Sequence, residues 1–248
     1  MKGYNPETFG KLYAERYDGL YNETMADETR LSVDTLAELA NGGKVLEFAI
    51  GTGRVALPLA AKGLEVQGIE ASEEMAAKLR EKPGGQNIPV AIGDMSKTQV
   101  DGKFDLIYLV FNTIFNLTTQ EAQVRCFQNA ARHLSDTGVF VIETVLPDFS
   151  TFVEGQRMRG SWNTMEASRF EIAMLDQVEQ TIAFQRIIIS EEGIKMNPHF
   201  MRYAWPPELD LMAQLADLER RERWAWWDKT PFTTESKSHI SVYGRASK

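Results

Sequence analysis

From residue 44 onward, short apolar runs alternate with amphipathic stretches. Val45 to Ile50 is apolar apart from one acid, Glu47, and predicts a buried strand over 44–50. Gly51-Thr52-Gly53 turns it into a helix that ends near Lys62-Gly63. The pattern repeats with strands at 65–70, 88–93, 104–110 and 138–145. A helix is predicted over 73–82, with Ser72 as N-cap and Glu73 and Glu74 in its positive first turn. Another carries Val124, Phe127, Ala131 and Leu134 at helical spacing, with Thr118 and Glu121 resembling a capping box. Phe104 to Val110 is almost wholly apolar, as suits a strand covered on both faces. Five strands separated by helices predict a parallel sheet with helices on both sides.

The flanks read differently. Upstream, a helix over 27–40 buries Val33, Leu36, Ala37 and Ala40 and stops at Asn41-Gly42-Gly43. Before it, Tyr13, Tyr17 and Tyr21 recur every four residues, a spacing that puts them along one side of a helix if this segment is helical. Beyond Pro147, strands over 165–175, 178–190 and 194–204 predict an antiparallel meander. Pro206-Pro207 opens a short helix with Leu209, Met212 and Leu215 inward. Strands over 217–227 and 238–246 close the chain. The expected layout is one α/β domain over 1–248. It has an N-terminal helical cap (1–43), a ligand-binding core (44–146), a meander or lid (147–205) and C-terminal core strands (206–248).

Composition narrows the function. With 248 residues, 43% hydrophobic and 25% charged, the chain can bury one sizeable core. A net charge of −8 and a pI near 5.1 disfavour phosphate backbones and anionic membranes. No nucleic acid and no membrane partner is expected. The single cysteine, Cys126, forms no internal disulfide and reads as a buried small residue. No Cys/His cluster suggests a metal. The N-terminus lacks a signal peptide's apolar run and no stretch is long enough to span a membrane, so a cytoplasmic protein is expected.

The candidate chemistry lies at the strand ends. Gly51-x-Gly53-x-x-Ala56 lets backbone approach a ligand closely and opens a helix whose N–H groups are unpaired. Glu47, an acid inside an apolar run, needs a donor, and a cationic ligand group relayed through water would supply one. Glu70 ends the second strand, where an acid can accept both hydroxyls of a ribose. Asp94-Met95 follows the third strand, where a carboxylate can take an exocyclic amine of adenine. After the fourth strand, Asn112 and Asn116 could position an acceptor amine or hydroxyl, or merely cap a loop. His199 and His239 fall on predicted strands as general bases or, preferably, structural residues. His133 is expected to meet a helix dipole. Trp224 and Trp226 alternate on one strand face and read as packing.

Val45-Leu46-Glu47-x-x-x-Gly51-x-Gly53, Glu70 and Gly93-Asp94-Met95 together resemble the class I S-adenosylmethionine-dependent methyltransferases. Ala14-Glu15-Arg16-Tyr17-Asp18-Gly19-Leu20-Tyr21 is similar to the opening of small-molecule members, including sugar N,N-dimethyltransferases and peptide N-methyltransferases. The resemblance covers residues 10–145. It implies an open, mostly parallel, seven-stranded Rossmann-like sheet with an antiparallel β insertion after the fifth strand. It implies S-adenosyl-L-methionine as cofactor and S-adenosyl-L-homocysteine as product. By position, Gly51 and Gly53 admit the methionine part and ribose, and Glu70 with Ala71 meets the ribose hydroxyls. Asp94 and the Met95 backbone hold adenine. Tyr17, Glu47 and Phe111 complete the cofactor contacts, and Tyr21 and Asn112 approach the transferring methyl. Tyrosine faces suit a sulfonium, since a ring face stabilises a cation by roughly 0.5–2 kcal/mol. The expected reaction is methyl transfer to a small-molecule or peptide acceptor, more readily nitrogen than oxygen, with a homodimer as an expected assembly. A nicotinamide-dependent oxidoreductase and a non-catalytic cofactor-binding protein are the alternatives.

Overall fold

The computed structural model describes residues 3–4, 6–21 and 25–246, with the side chains of Pro6, Phe9 and Tyr21 outside the description. Helix α1 (Pro6–Tyr13), a 3-10 turn (Ala14–Arg16) and α2 (Tyr17–Tyr21) precede α3 (Ala26–Ala40). The tyrosines therefore do not share one uninterrupted helix face, because the turn breaks the period between Tyr13 and Tyr17. Asn41 ends α3 in the left-handed region at φ 47°, its N–H returning to the Ala37 and Glu38 carbonyls.

The alternating core follows as β1 (Val45–Phe48), α4 (Ala56–Ala61), β2 (Val66–Glu70), α5 (Glu73–Arg80) and β3 (Val90–Ile92). It continues through β4 (Phe104–Leu109), α6 (Gln120–His133) and β5 (Leu134–Val145). Ser72 caps α5 as expected, its Oγ accepting the Met75 N–H at 3.2 Å. The cap of α6 is Thr119 rather than Thr118, since it is Thr119 Oγ1 that accepts the Ala122 N–H. Next come β6 (Gln156–Asn163), β7 (Ala167–Asp176), β8 (Thr181–Ser190), β9 (Gly193–Arg202), α7 (Pro206–Gln214), β10 (Leu218–Trp224) and β11 (Ser238–Arg245).

The large sheet has seven strands in the order β10-β11-β5-β4-β1-β2-β3. Strands β1 to β5 pair in parallel, and β11 lies antiparallel between β5 and β10. The strand order reverses between β1 and β4, and such a switch point opens a crevice at the carboxyl ends. One core cluster includes Phe48, Phe127, Phe140 and Tyr243; a second includes Leu36, Tyr108, Trp224 and Trp227. Trp227, a residue that strand alternation overlooks, is among the largest fully buried side chains.

The meander has four strands, not three, in the order β6-β7-β8-β9. Strand β6 is missed by hydrophobic alternation because nearly all its residues are exposed. Its neighbours anchor the second sheet: Ala173, Ile182 and Tyr203 join the first core cluster. Arg202 at the end of β9 is buried; its Nη1 donates to Gln123 of α6 at 2.6 Å and its Nη2 to Glu208 of α7 at 2.7 Å. In α7, Leu209, Met212 and Ala213 turn inward, whereas Leu215 is two-thirds exposed because helical rotation carries it off the face those residues share. His133 and His239 are structural. His133 bridges the Asn129 carbonyl and the Val100 backbone, and His239 meets Thr144 and Ser241 in the core. Cys126 is fully buried.

Candidate active site

The glycine turn is built from backbone conformations rather than from long side chains. Gly51 has φ 57° and Gly53 φ 79°, both in the left-handed region that a Cβ disfavours. A Cβ on Gly51 would meet nothing nearer than the Ala49 carbonyl at 3.9 Å, so this glycine fronts open space. A Cβ on Gly53 would strike Leu79 at 2.3 Å. Gly53 thus lets the turn pack on α5, and it lines neither cavity of the site.

Asp18 ties the N-terminal cap to this turn. Thr52 Oγ1 donates to its carboxylate at 2.7 Å, and Lys82 Nζ lies 2.6 Å from its other oxygen. Tyr17 is thereby held above the turn, where it lines both the main cavity and a smaller one behind it. Backbone of Tyr21 closes α2, but its side chain lies outside the described residues.

The main cavity, about 260 Å³, runs across the ends of β1, β2, β3 and β4. Glu70 is buried in its wall. One carboxylate oxygen accepts the Gly51 N–H at 2.8 Å and the other the Ser72 N–H at 2.9 Å. The lone pairs left over from these backbone bonds remain for a ligand hydroxyl. Burial raises Glu70, while these backbone donors oppose the rise. Ala71, Asp94 and Met95 line the same end. Asp94 is oriented by the Ser96 N–H at 2.8 Å, and Asn129 Nδ2 fixes the Met95 carbonyl at 2.9 Å.

Three residues that are not glycine hold positive φ at these strand ends: Ala49 (55°), Phe111 (60°) and Asn112 (60°). Such strain persists only where surroundings enforce it. For Phe111 and Asn112 it is Glu143 that does so: its carboxylate accepts the Phe111 N–H at 2.9 Å and its carbonyl accepts the Asn112 N–H at 3.2 Å. Asn112 Oδ1 accepts the Val145 N–H at 2.5 Å, so its carbonyl group is engaged in holding the loop that lines the cavity.

Behind the turn, Glu47 is buried and accepts the Tyr108 hydroxyl at 2.6 Å. Burial pushes its carboxyl up to about 8, with Tyr108 and Arg54 opposing the rise. Glu143 is pushed up to about 7 by burial, and Glu28, raised by burial too, lies against it. Arg54 stands among these acids. Its guanidinium lies 5.1 Å from the Phe111 ring centroid, Nη1 donates to Thr29 at 2.7 Å, and Nε is buried without a partner among the described residues. Glu47, Tyr17, Arg54 and Phe111 border the smaller cavity. Arg54 and Glu143 escape a sequence reading because their partners lie far along the chain. A signal for Arg54 is its place beside Gly53.

The other end of the main cavity comes from the meander. Phe184, Arg186, His199 and Met201 face Asn116 and Thr113 across it. His199 stacks on Phe184, with centroids 5.9 Å apart, and Nε2 lies 3.0 Å from Asn116 Oδ1. Burial, aided by Arg186, lowers His199 to about 4, so it is neutral at neutral pH. Among the described residues no group of His, Cys, Asp and Glu could hold a metal ion. No described helix is long and apolar enough to cross a membrane.

An open parallel sheet with a glycine turn at its switch point, an acid at the end of β2 and a carboxylate after β3 defines a nucleoside-cofactor site. Comparisons with known proteins give its class. A family described as "Methyltransferase domain" matches residues 45–138. The Bacillus subtilis protein YqeM, named as a methyltransferase, is 32% identical over 152 residues, 57% of this chain and 60% of that protein. A dTDP-4-amino-2,3,4,6-tetradeoxy-D-glucose N,N-dimethyltransferase of Saccharopolyspora spinosa is 28% identical over 145 residues, 56% of this chain and 55% of that one. The solved CcbJ methyltransferase of Streptomyces caelestis superposes with a TM-score of 0.90 at 35% identity, covering 98% of this chain and all of that one. The chain spans 55–64% of the length of the first curated relatives it matches. It belongs to the S-adenosylmethionine-dependent methyltransferases. The cofactor of this family is S-adenosyl-L-methionine, and the donor set fits it: open space over Gly51, paired acceptors on Glu70 and a carboxylate at Asp94.

Proposed function

We propose that this chain transfers a methyl group to an amine nitrogen of a small-molecule or peptide acceptor. Glu70 with Ala71 would hold the ribose, Asp94 and the Met95 backbone the adenine, and Glu47, Tyr17 and Arg54 the amino-acid end. When bound, S-adenosylmethionine supplies a methyl group on a positively charged sulfur that leaves as a neutral thioether. Tyr17 presents an aromatic ring beside the glycine turn, where a cation gains from it. Phe111 and Asn112, in their enforced conformation, shape the wall between cofactor and acceptor ends.

The observation that carries the choice of nitrogen is His199. It is the histidine in the acceptor end of the cavity, and burial holds it near 4. A group so weakly basic does little to deprotonate a hydroxyl at neutral pH. An uncharged amine brings its own lone pair and can shed its proton afterwards. His199, whose Nε2–H donates to Asn116 Oδ1 at 3.0 Å, then orients the acceptor and helps exclude water. The amino-sugar substrate named for the Saccharopolyspora relative is consistent with this chemistry for that protein.

The test pairs amine and hydroxyl acceptors on one scaffold, such as amino sugars and the parent sugars, with S-adenosylmethionine. Products are read by mass spectrometry. Methyl gain confined to the amines is expected; methyl gain on the hydroxyls instead would overturn the reading.

A further inference from the structure

Beyond the acceptor end of the main cavity lies a second one of about 170 Å³, and its charge is unlike that of the chain as a whole. The protein carries −8 overall, yet Arg16, Arg169 and Arg186 all line this space. Arg186 lines both cavities and so joins them.

The strand register explains the gathering. On the inward face of the meander, Arg186 is paired with Asn197 and with Glu171, and Arg169 with Ile188 one step further. Glu171 holds Arg157 at 2.7 Å and Arg186 at 3.0 Å, so two guanidiniums already share this one carboxylate. Arg169 Nε is buried and has no hydrogen-bond partner among the described residues. Leaving a buried N–H without an acceptor is costly, and an oxygen of a ligand anion would remove that cost. Arg16 enters from the N-terminal cap, its guanidinium donating to Asn197 Oδ1 and lying 5.3 Å from the Tyr13 ring centroid. The site is thus closed by elements from two distant parts of the chain. Planar guanidinium forks engage oxyanions two oxygens at a time, and three converging forks can use the three free oxygens of a terminal phosphoryl group, one more than a carboxylate offers.

The same face supplies a ruler. Phe184 pairs with His199, Arg186 with Asn197 two residues along, and Ile188, opposite Arg169, two residues further. At about 3.4 Å per residue, the arginines stand roughly 7–14 Å along the sheet from the His199 row. We propose that Arg16, Arg169 and Arg186 form an anion subsite that holds a phosphoryl group carried by the methyl acceptor, at that distance from the atom methylated. The assignment rests on the methyltransferase reading of the neighbouring cavity.

Pyrophosphate is the probe, titrated calorimetrically into the full chain with and without saturating S-adenosylhomocysteine, with succinate in parallel. Pyrophosphate should bind in about the millimolar range, with affinity unaffected by S-adenosylhomocysteine. Arg169→Gln should weaken it at least tenfold and Arg169→Lys less, while both variants bind S-adenosylhomocysteine as the wild type does, which shows them folded. Absence of pyrophosphate binding, competition by S-adenosylhomocysteine, an unchanged affinity in Arg169→Gln, or succinate binding in preference would each overturn the subsite. Failure of the wild type to bind S-adenosylhomocysteine would instead strike the methyltransferase reading.

Discussion

Glu47 and Glu70 are both buried acids at adjacent strand ends, yet their surroundings give them different tasks. Glu70 faces the main cavity with both oxygens already anchored by backbone N–H groups. Replacing it with alanine should weaken S-adenosylhomocysteine binding at least tenfold, about 1.4 kcal/mol, by calorimetry; an unchanged affinity in the folded variant removes the ribose assignment. Glu47 lies deeper, and burial holds it near 8. Below that value the cofactor-free protein keeps this carboxyl protonated, and an ammonium nearby favours the ionised form. Binding should therefore release a proton at pH 7, and affinity should rise with pH until about 8 and then level. Calorimetry in two buffers of different ionisation heat reads the proton directly. Its disappearance in Glu47→Gln would assign it, and an equal release in that variant would contradict the account. Glu47, Glu70 and Asp94 were legible in the sequence because each is a polar break beside an apolar run. Arg54, Glu143 and the meander arginines were not, since what gives them meaning is contact with residues remote in sequence.

At the scale of elements, the turn between β1 and α4 does most to place the site, and its two glycines divide the work. Gly51 leaves room for a ligand, whereas Gly53 leaves room for Leu79 of α5. Gly53→Ala should cost at least about 2 kcal/mol, from the left-handed backbone and the clash together, seen as a lowered thermal midpoint. Retention of the wild-type midpoint would show that α5 can move aside. The parallel strands and their helices were readable because burial on both faces makes apolar runs and because turns carry glycine, asparagine and serine. The exposed β6 offers no such contrast. The break between Tyr13 and Tyr17 is equally silent in the pattern, because a 3-10 turn preserves a roughly helical spacing.

For the molecule as a whole, the second sheet supplies one end of the main cavity and must be held in place over the first. Arg202 is the tie: buried at the end of β9, it reaches Gln123, Gln180 and Glu208. Arg202→Met leaves Glu208 without its ion pair, and breaking a buried pair from one side costs about 3–5 kcal/mol. The urea midpoint should fall accordingly; a midpoint within error of wild type would mean that apolar contacts alone hold the sheet. The seven-stranded order follows from alternation and short connections, whereas the register that aligns Arg169, Arg186 and His199 on one face emerges only once all four meander strands are paired.

The most direct measurement is a calorimetric titration of the purified chain with S-adenosylmethionine, S-adenosylhomocysteine and NAD(H). Saturable binding of both adenosyl ligands, abolished or weakened at least tenfold in Glu70→Ala, with no heat from NAD(H), is the predicted result. Tight NAD(H) binding with none for the adenosyl ligands would contradict the account.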